Sequence, residues 1–451
     1  MKTKTSFILL LFTSLLVMSL AFYSGFPLVE SDTGAYIETG IRDIIPKDRS
    51  PFYGWFICYT SFTTSLWYAL LAQSLLLAFL LLRYMTHLNN KRQDVRLSVI
   101  SVVVIVSFTC VTWVAAYLMP DIFAGILLLS ILLYLSDTSG AKAIHIVYGI
   151  IILGAIIIHN SHFAIVLAFS VALLAWALVK KVYHVAKRSA VLLCLAVSGW
   201  LLIASVNAIN GNGFVFSRGS HVFMVTKFAE TGILNKYLAE NCNTKQLKLC
   251  AYQNDIPDFS WDFLWGETSP LYKTGGWDSN KVEYDMITHD ILTTPRYLIM
   301  YVQKAAIGTV RELTQVQAPN RTSFQGVWSS PWQRVKTFFP DELNEYCLSK
   351  QFSNELSGTA SNYLYFTFFL LTSIWVLFYR KLLDENILFI YGCMFLFFVV
   401  NAFVTSLGST VIYRFQYRIF WILPATNAIL MIKYYLSKEA IVNVFVKQQK
   451  E

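Results

Sequence analysis

The sequence predicts an all-α, polytopic membrane protein with about ten transmembrane helices and one α-rich extracytoplasmic insert. Three observations predict it. Of the 451 residues 56% are hydrophobic and only 14% charged, with a mean hydropathy of +0.52, whereas soluble domains carry about 25% charged residues. Uncharged windows of roughly 18–20 residues recur along the chain, the length that crosses a bilayer as a helix. Lysine and arginine gather in alternate connections, as the positive-inside rule requires. The formal charge of +9 is therefore assigned to cytoplasmic loops. No basic stripe with interleaved aromatics is present, so nucleic acid is not an expected partner. The seven cysteines form no CxxC pair, which excludes a zinc ribbon or a thioredoxin-type motif.

The chain opens with Lys2 and Lys4 before an apolar run over residues 6–23. That run is longer than the ~7–15 residues of a signal-peptide core, so an uncleaved first anchor is expected. The polar stretch Glu30-Ser31-Asp32-Thr33-Gly34-Ala35-Tyr36 follows, then Arg42, Asp43 and Asp48-Arg49-Ser50-Pro51. Ile37, Ile41 and Ile44 or Ile45 share one helical face, which predicts a short interfacial helix N-capped by Asp32 or Ser31 and stopped by Pro46. Phe52, Tyr53, Trp55, Phe56 and Tyr59 predict an aromatic belt at the membrane boundary.

Further spans are expected at about 65–83, 98–118, 120–136, 143–159, 161–179, 189–207, 361–379, 386–404 and 412–432. Counted this way, Arg83, Lys91, Arg92, Arg96, Lys180, Lys181, Lys187, Arg188, Arg380, Lys381, Lys433, Lys438, Lys447 and Lys450 fall on the same side as Lys2 and Lys4. Both termini are then cytoplasmic, in an inner-membrane protein. Arg42, Lys47, Arg49, Arg414 and Arg418 break the pattern on the other side. The chain divides into an N-terminal membrane module over 1–207, an extracytoplasmic domain over 208–360 and a C-terminal membrane module over 361–451. Cys242 and Cys250 lie in the middle part, where an oxidising compartment favours a disulfide. From Pro295 to about residue 313, Leu298, Tyr301, Ala305 and Ile307 alternate with Lys304 and Arg311, the pattern of a helix lying on the membrane.

The candidate site collects polar groups from the outer face. Asp32 is the candidate base, with Glu30 beside it. A carboxylate next to lipid is costly and is usually kept for function, though a plain helix cap is the competing reading. Asp121 follows Pro120 at the start of a span, where an acid also suits the helix dipole. His159 and His162 lie in one outer turn, and His221 lies with Arg218 and Lys227 in the large segment. Tyr36, Arg49 and these histidines are candidate substrate contacts. Arg414 and Arg418 are i, i+4 on one face and suit bidentate phosphate binding; snorkelling is the alternative. The Trp and Tyr of the large segment either stack on sugar rings or fill its core. No Walker loop, GxSxG or HExxH motif occurs. No cofactor is expected, and a divalent metal is left open.

With these residues assembled, the chain resembles the GT-C superfamily of integral-membrane glycosyltransferases, which includes protein O-mannosyltransferases and lipid A aminoarabinose transferases. The resemblance rests on Glu30-Ser31-Asp32 with Tyr36 in the first outer loop, on Pro120-Asp121, and on Tyr413-Arg414-Phe415-Gln416-Tyr417-Arg418 followed by Pro424. It implies a polyprenyl-phosphate-linked sugar as donor, an extracytoplasmic glycan, lipid or protein as acceptor, and Asp32 as base, with Asp121 assisting and the arginines at the phosphate. The family's adjacent acidic pair is here split as Glu30-x-Asp32, so the base stays open between the two. The segment over 208–360 has no counterpart in the resemblance. The competing functions are a transporter or flippase of lipid-linked saccharides, which needs polar groups at mid-membrane depth, and a polysaccharide polymerase or ligase.

Overall fold

The computed structural model describes residues 3–137 and 141–448, so Lys2 and Lys450 lie outside the described residues. The described chain is helical throughout, with two isolated β-bridges and no strand. The first membrane part holds α1 (Thr3–Val17), α2 (Ser19–Ser24), α3 (Ser31–Arg42), α4 (Phe52–Ser61), α5 (Leu66–Leu88), α6 (Val95–Phe108), α7 (Val111–Ala116), α8 (Ile122–Ser136), α9 (Lys142–Ile158), α10 (Asn160–Val179) and α11 (Tyr183–Ile209). The polar segment adds α12 (Ser220–Glu230), α13 (Ile233–Asn241), α14 (Ser260–Trp265), α15 (Pro270–Lys273), α16 (Gly276–Ser279), α17 (Lys281–Thr293), α18 (Pro295–Thr314), α19 (Ser330–Phe338) and α20 (Leu343–Leu348). The last part holds α21 (Thr359–Phe378), α22 (Glu385–Gly408), α23 (Arg414–Phe420) and α24 (Ile422–Gln448).

Six stretches are long and apolar enough to cross a membrane: α5, α10, α11, α21, α22 and the run Arg414–Lys438 through α23 and α24. Four further apolar helices, at the start of the chain and at α6, α8 and α9, are shorter. Two expected spans are broken. The first parts at Met18 between α1 and α2, and the span expected over 98–118 parts at Thr109 between α6 and α7. Thr109 explains the second break. Its hydroxyl donates back to the Ile105 carbonyl at 2.7 Å and accepts from the Val111 amide, a side-chain alternative to the helical ladder.

The core is built round α8, whose fifteen residues Ile122–Ser136 are all buried. A helix apolar on every side belongs in the middle, and α5, α9, α22 and α23 pack round it. At ~1.5 Å per residue it holds its two ends about 22 Å apart. Asp121 precedes it and Asp137 follows it. At the Asp137 end the basic residues of separate connections converge. Lys91 pairs with Asp137 at 2.7 Å, Arg188 donates to the Tyr134, Leu135 and Asp137 carbonyls, and Lys433 donates to the Leu88 carbonyl.

The polar segment falls into two parts. Residues from Val222 to Tyr301 form a separate apolar core, tied by the Cys242–Cys250 disulfide. The rest, with Trp332, Val335, Phe339 and Tyr346, joins the main core instead, because α19 packs on α3. Helix α18 presents two faces. Tyr297, Tyr301, Ala305, Gly308 and Glu312 are buried, while Leu298, Ile299, Val302, Ile307 and Val310 are exposed. The sequence pattern pooled these faces; an exposed apolar face is what a helix lying on lipid presents.

Candidate functional site

The site starts with backbone. The segment before α3 is pinned on both sides. Leu28 donates to the Ala116 carbonyl at 2.9 Å and its own carbonyl accepts from Leu118 at 2.8 Å. On the other flank Gln351 grips Val29 twice, accepting from its amide at 2.9 Å and donating to its carbonyl at 2.7 Å. Thr33 adds a hydrogen bond to the Leu118 carbonyl. The turn that bears Glu30 and Asp32 is therefore registered against the turn that bears Pro120 and Asp121.

Helix α3 is held by glycine contacts. Any Cβ on Gly40 would collide with the Gly54 carbonyl of α4, and any Cβ on Gly34 would collide with Ser330 of α19. The helix ends at Arg42, where Asp43 takes a left-handed conformation with φ 52°; Pro46 and the isoleucines at 44 and 45 lie beyond it. The cap also differs from expectation. Glu30 occupies the N-cap position, and Thr33 accepts from the Glu30 amide at 2.9 Å. Asp32, inside the first turn, is thereby spared capping.

The two acids and two arginines expected to meet do meet. Arg418 reaches Asp121 at 3.1 Å and Asn401 at 3.4 Å. Arg414 lies 3.7 Å from Asp121 and 3.8 Å from Asp32. Arg49 lies 3.0 Å from Asp32 and 2.5 Å from Asp48, with its guanidinium over the Tyr36 ring at 5.1 Å. Burial pushes the Arg49 guanidinium down, but Asp32, Tyr36 and Asp48 outweigh it and favour the cation. Asp121 makes no capping hydrogen bond to α8, so its carboxylate serves the arginines. Exposure sorts the members: Asp32 is 30% exposed and Arg414 25%, against 6% for Asp121 and none for Arg418. The open side of the cluster is thus formed by Asp32 and Arg414.

All five cations expected to break the positive-inside pattern are paired. Besides these three, Arg42 meets Glu38 at 3.6 Å and Lys47 meets Asp278 at 2.5 Å. Other expected members fall elsewhere. Glu30 is sequestered: Ser323 donates to it at 2.5 Å, and burial raises its carboxyl above the usual range, against Arg414 and Ser323. Tyr36 is 5% exposed and packs edge-on to Tyr53 at 5.0 Å, so it is a platform for Arg49. His159 accepts from the Ser161 amide as the cap of α10; burial, reinforced by Arg418, Arg414 and Arg49, drives it far toward the neutral form. Its ring lies 5.0 Å from that of His162, which is hydrogen-bonded to the Ala155 carbonyl at 2.7 Å. The pair backs the cluster. His221 is outside it, buried against Tyr284 and bonded to the Trp277 carbonyl at 2.8 Å.

Among the described residues no three His, Cys, Asp or Glu side chains are grouped to hold a metal ion; the acids at the centre are compensated by guanidinium groups instead. Sequence reasoning missed Gln351, Ser323, Asn401 and Glu312. The first three are neutral side chains with no local signature. Glu312, fully buried in the last turn of α18, could have been found as the single acid on that helix's buried stripe.

Phe420, the last residue of α23, and Trp421 after it line a mainly apolar cleft of about 440 Å³ with Phe108, Cys110, Tyr365 and Phe369, edged by polar side chains such as Gln317 and Asn362. Trp421 joins the two sides, donating to the Arg418 carbonyl at 3.1 Å. The far wall, α21, has Thr372 alone fully buried along its length. Against this geometry, no protein-family model, curated protein or solved structure matches the chain.

Proposed function

We propose that this cluster binds the phosphate of a polyprenyl-phosphate-linked sugar, and that the protein is a GT-C-type glycosyltransferase acting at the extracytoplasmic face of the membrane. The observation that carries the reading is the shared ion-pair network of Asp32 and Asp121 with Arg414 and Arg418, contributed by three distant parts of the chain. Two guanidinium groups on one helix suit a phosphate. The mainly apolar cleft beside Phe420 and Trp421 suits the isoprenoid chain, with its open flank toward lipid.

Of the three acids, Asp32 is the base. Asp121 is buried and Glu30 is occupied by Ser323, which leaves Asp32, 30% exposed. Arg49 holds Asp32 Oδ1, which turns Oδ2 toward Arg414 and the open side. In the reaction Asp32 takes the proton of an acceptor hydroxyl or amine. The acceptor attacks the anomeric carbon, the bond from that carbon to the phosphate oxygen breaks, and the anomeric configuration inverts. Arg414 and Arg418 stabilise the charge gathering on the leaving phosphate, the role that preorganised cations fill best. A transport path is disfavoured by α8, which carries only apolar residues and Ser130, Tyr134 and Ser136 between the two polar ends.

The test is Asp32→Asn in purified protein, with release of polyprenyl phosphate from a polyprenyl-phosphate sugar as the readout and cell-envelope extract as acceptor. Release falls by at least about 10²-fold, the usual worth of a positioned base, while the melting temperature holds. Full turnover by the variant would end the assignment. Mass analysis of lipid-linked sugars in a deletion strain then identifies the sugar.

A further inference from the structure

One buried carboxyl is not used by this reaction. On α18 the residues Tyr301, Ala305, Gly308 and Glu312 form a single buried stripe, which faces the connection between α22 and α23. Tyr301 donates to the Leu407 carbonyl at 2.7 Å. Gly308 lies so close that an added Cβ would sit 3.1 Å from Ser406 and 3.2 Å from Val411. From α12, Lys227 donates to the Ser409 carbonyl at 2.7 Å, and Glu230 accepts from Lys227 and from Thr410. The outer domain thus grips residues 406–412, and two residues later the chain reaches Arg414.

Glu312 ends that stripe with no exposed surface, and neither carboxylate oxygen has a well-aligned hydrogen bond. The charges that face it are Arg418 from α23 and Lys227 from α12, with the Ile412 amide of the connection. Beyond them stand Asp121 on Arg418 and Glu230 on Lys227. On α18 itself the neighbouring Arg311 is exposed. Arg418 is therefore flanked by two acids, Asp121 in ionic contact and Glu312 across the seam, and its Nε has no partner.

We propose that Glu312 is a positioning residue for the headgroup site, acting through Arg418. With its proton on, Glu312 leaves the guanidinium to Asp121 and to an incoming phosphate. With its proton off, it competes with that phosphate for the same cation. This rests on the phosphate-binding reading above. Burial supports the protonated form at neutral pH, since it lifts the Glu312 carboxyl to about 8 against the pull of Arg418 and Lys227. A second consequence is that the outer domain, through α18, adjusts the affinity of a site it does not line.

The test uses full-length protein in detergent with farnesyl phosphate as probe. Its phosphate has lost its second proton well below pH 8, with a pKa of roughly 6, so the probe contributes little of its own above neutrality. From about pH 7 to about pH 9.5 the wild-type affinity falls by roughly tenfold, within the ~5–150-fold span of ordinary site coupling. Glu312→Gln removes the fall, and Glu312→Asp keeps one. In parallel, the infrared band of a protonated buried carboxyl titrates across that interval in wild type and is missing in Glu312→Gln. A wild-type affinity that stays flat, or a fall that survives in Glu312→Gln, overturns the inference and spares the functional reading. Should Glu312→Gln not fold, the wild-type and Glu312→Asp profiles decide: no fall in either overturns it. Failure of wild type to bind farnesyl phosphate at any pH overturns the functional reading and the inference together.

Discussion

Asp121 and Asp32 illustrate how differently two acids of one site depend on their surroundings. Asp121 compensates a guanidinium with no exposure at all, so removing its charge strands a buried cation, a change that costs about 3–5 kcal/mol. Asp121→Asn is accordingly expected to lose that much in unfolding experiments, and activity with it. Replacing both partners, as Asp121→Leu with Arg418→Met, should recover most of the stability, because a buried pair is roughly matched by apolar residues of similar volume. Activity should not return. Were the double variant as unstable as the single one, the pair would be holding the fold through something other than charge compensation. Asp32 behaves differently. At 30% exposure its pairs are partly screened and worth about 1 kcal/mol or less, which is why Asp32→Asn separates chemistry from folding where Asp121→Asn does not.

Helix α3 carries its site residues only because its backbone can approach two neighbours closely. Gly40 against Gly54 and Gly34 against Ser330 leave no room for a methyl group. Gly40→Ala must push α3 off α4, at a cost of about 1–3 kcal/mol, and moves Asp32 relative to Asp121. Gly154 of α9 is the control, since nothing lies within 4 Å of an added Cβ; there alanine should be neutral, or favourable by up to ~1 kcal/mol. Equal effects of the two substitutions on melting temperature would refute the packing account. At this scale the sequence was a partial guide. The isoleucine spacing announced α3, but its end is set by Asp43 in the left-handed region, which periodicity does not register. The apolar run over 98–118 read as one span because hydropathy sums over Thr109, whose hydroxyl accepts from the Val111 amide where the helix parts. The Glu30 cap was missed because Glu is not a usual capping residue, while its neighbours Ser31 and Asp32 are.

Seen whole, the molecule separates charge to two ends of a buried apolar helix, and this separation was legible before any coordinates. Arg414 and Arg418 stood out by violating the charge bias, and they sit where that violation is compensated. Gln351 was not legible: its bond to Val29 spans 322 residues, and no local pattern encodes such a partner. The two ends make a prediction about membrane orientation. The domain over residues 222–301, expected on the outer side, meets the Asp32 end through the Lys47–Asp278 pair, and its Cys242–Cys250 disulfide closes a short loop. Closing a loop of this size removes chain entropy worth roughly 2.5 kcal/mol from the unfolded state. A Cys242→Ser and Cys250→Ser variant should therefore unfold more readily over residues 222–301, seen as faster hydrogen exchange there, while exchange in α5, α8 and α22 is unchanged, because the two apolar cores are separate. In protein alkylated in intact cells, maleimide should leave both cysteines unlabelled until reductant is added, since a disulfide persists only in an oxidising compartment. Free thiols at both positions would instead place the outer domain, and with it Asp32 and the arginine pair, on the reducing side of the membrane, where the Lys91–Arg188–Lys433 end would then have to face outward against the positive-inside rule.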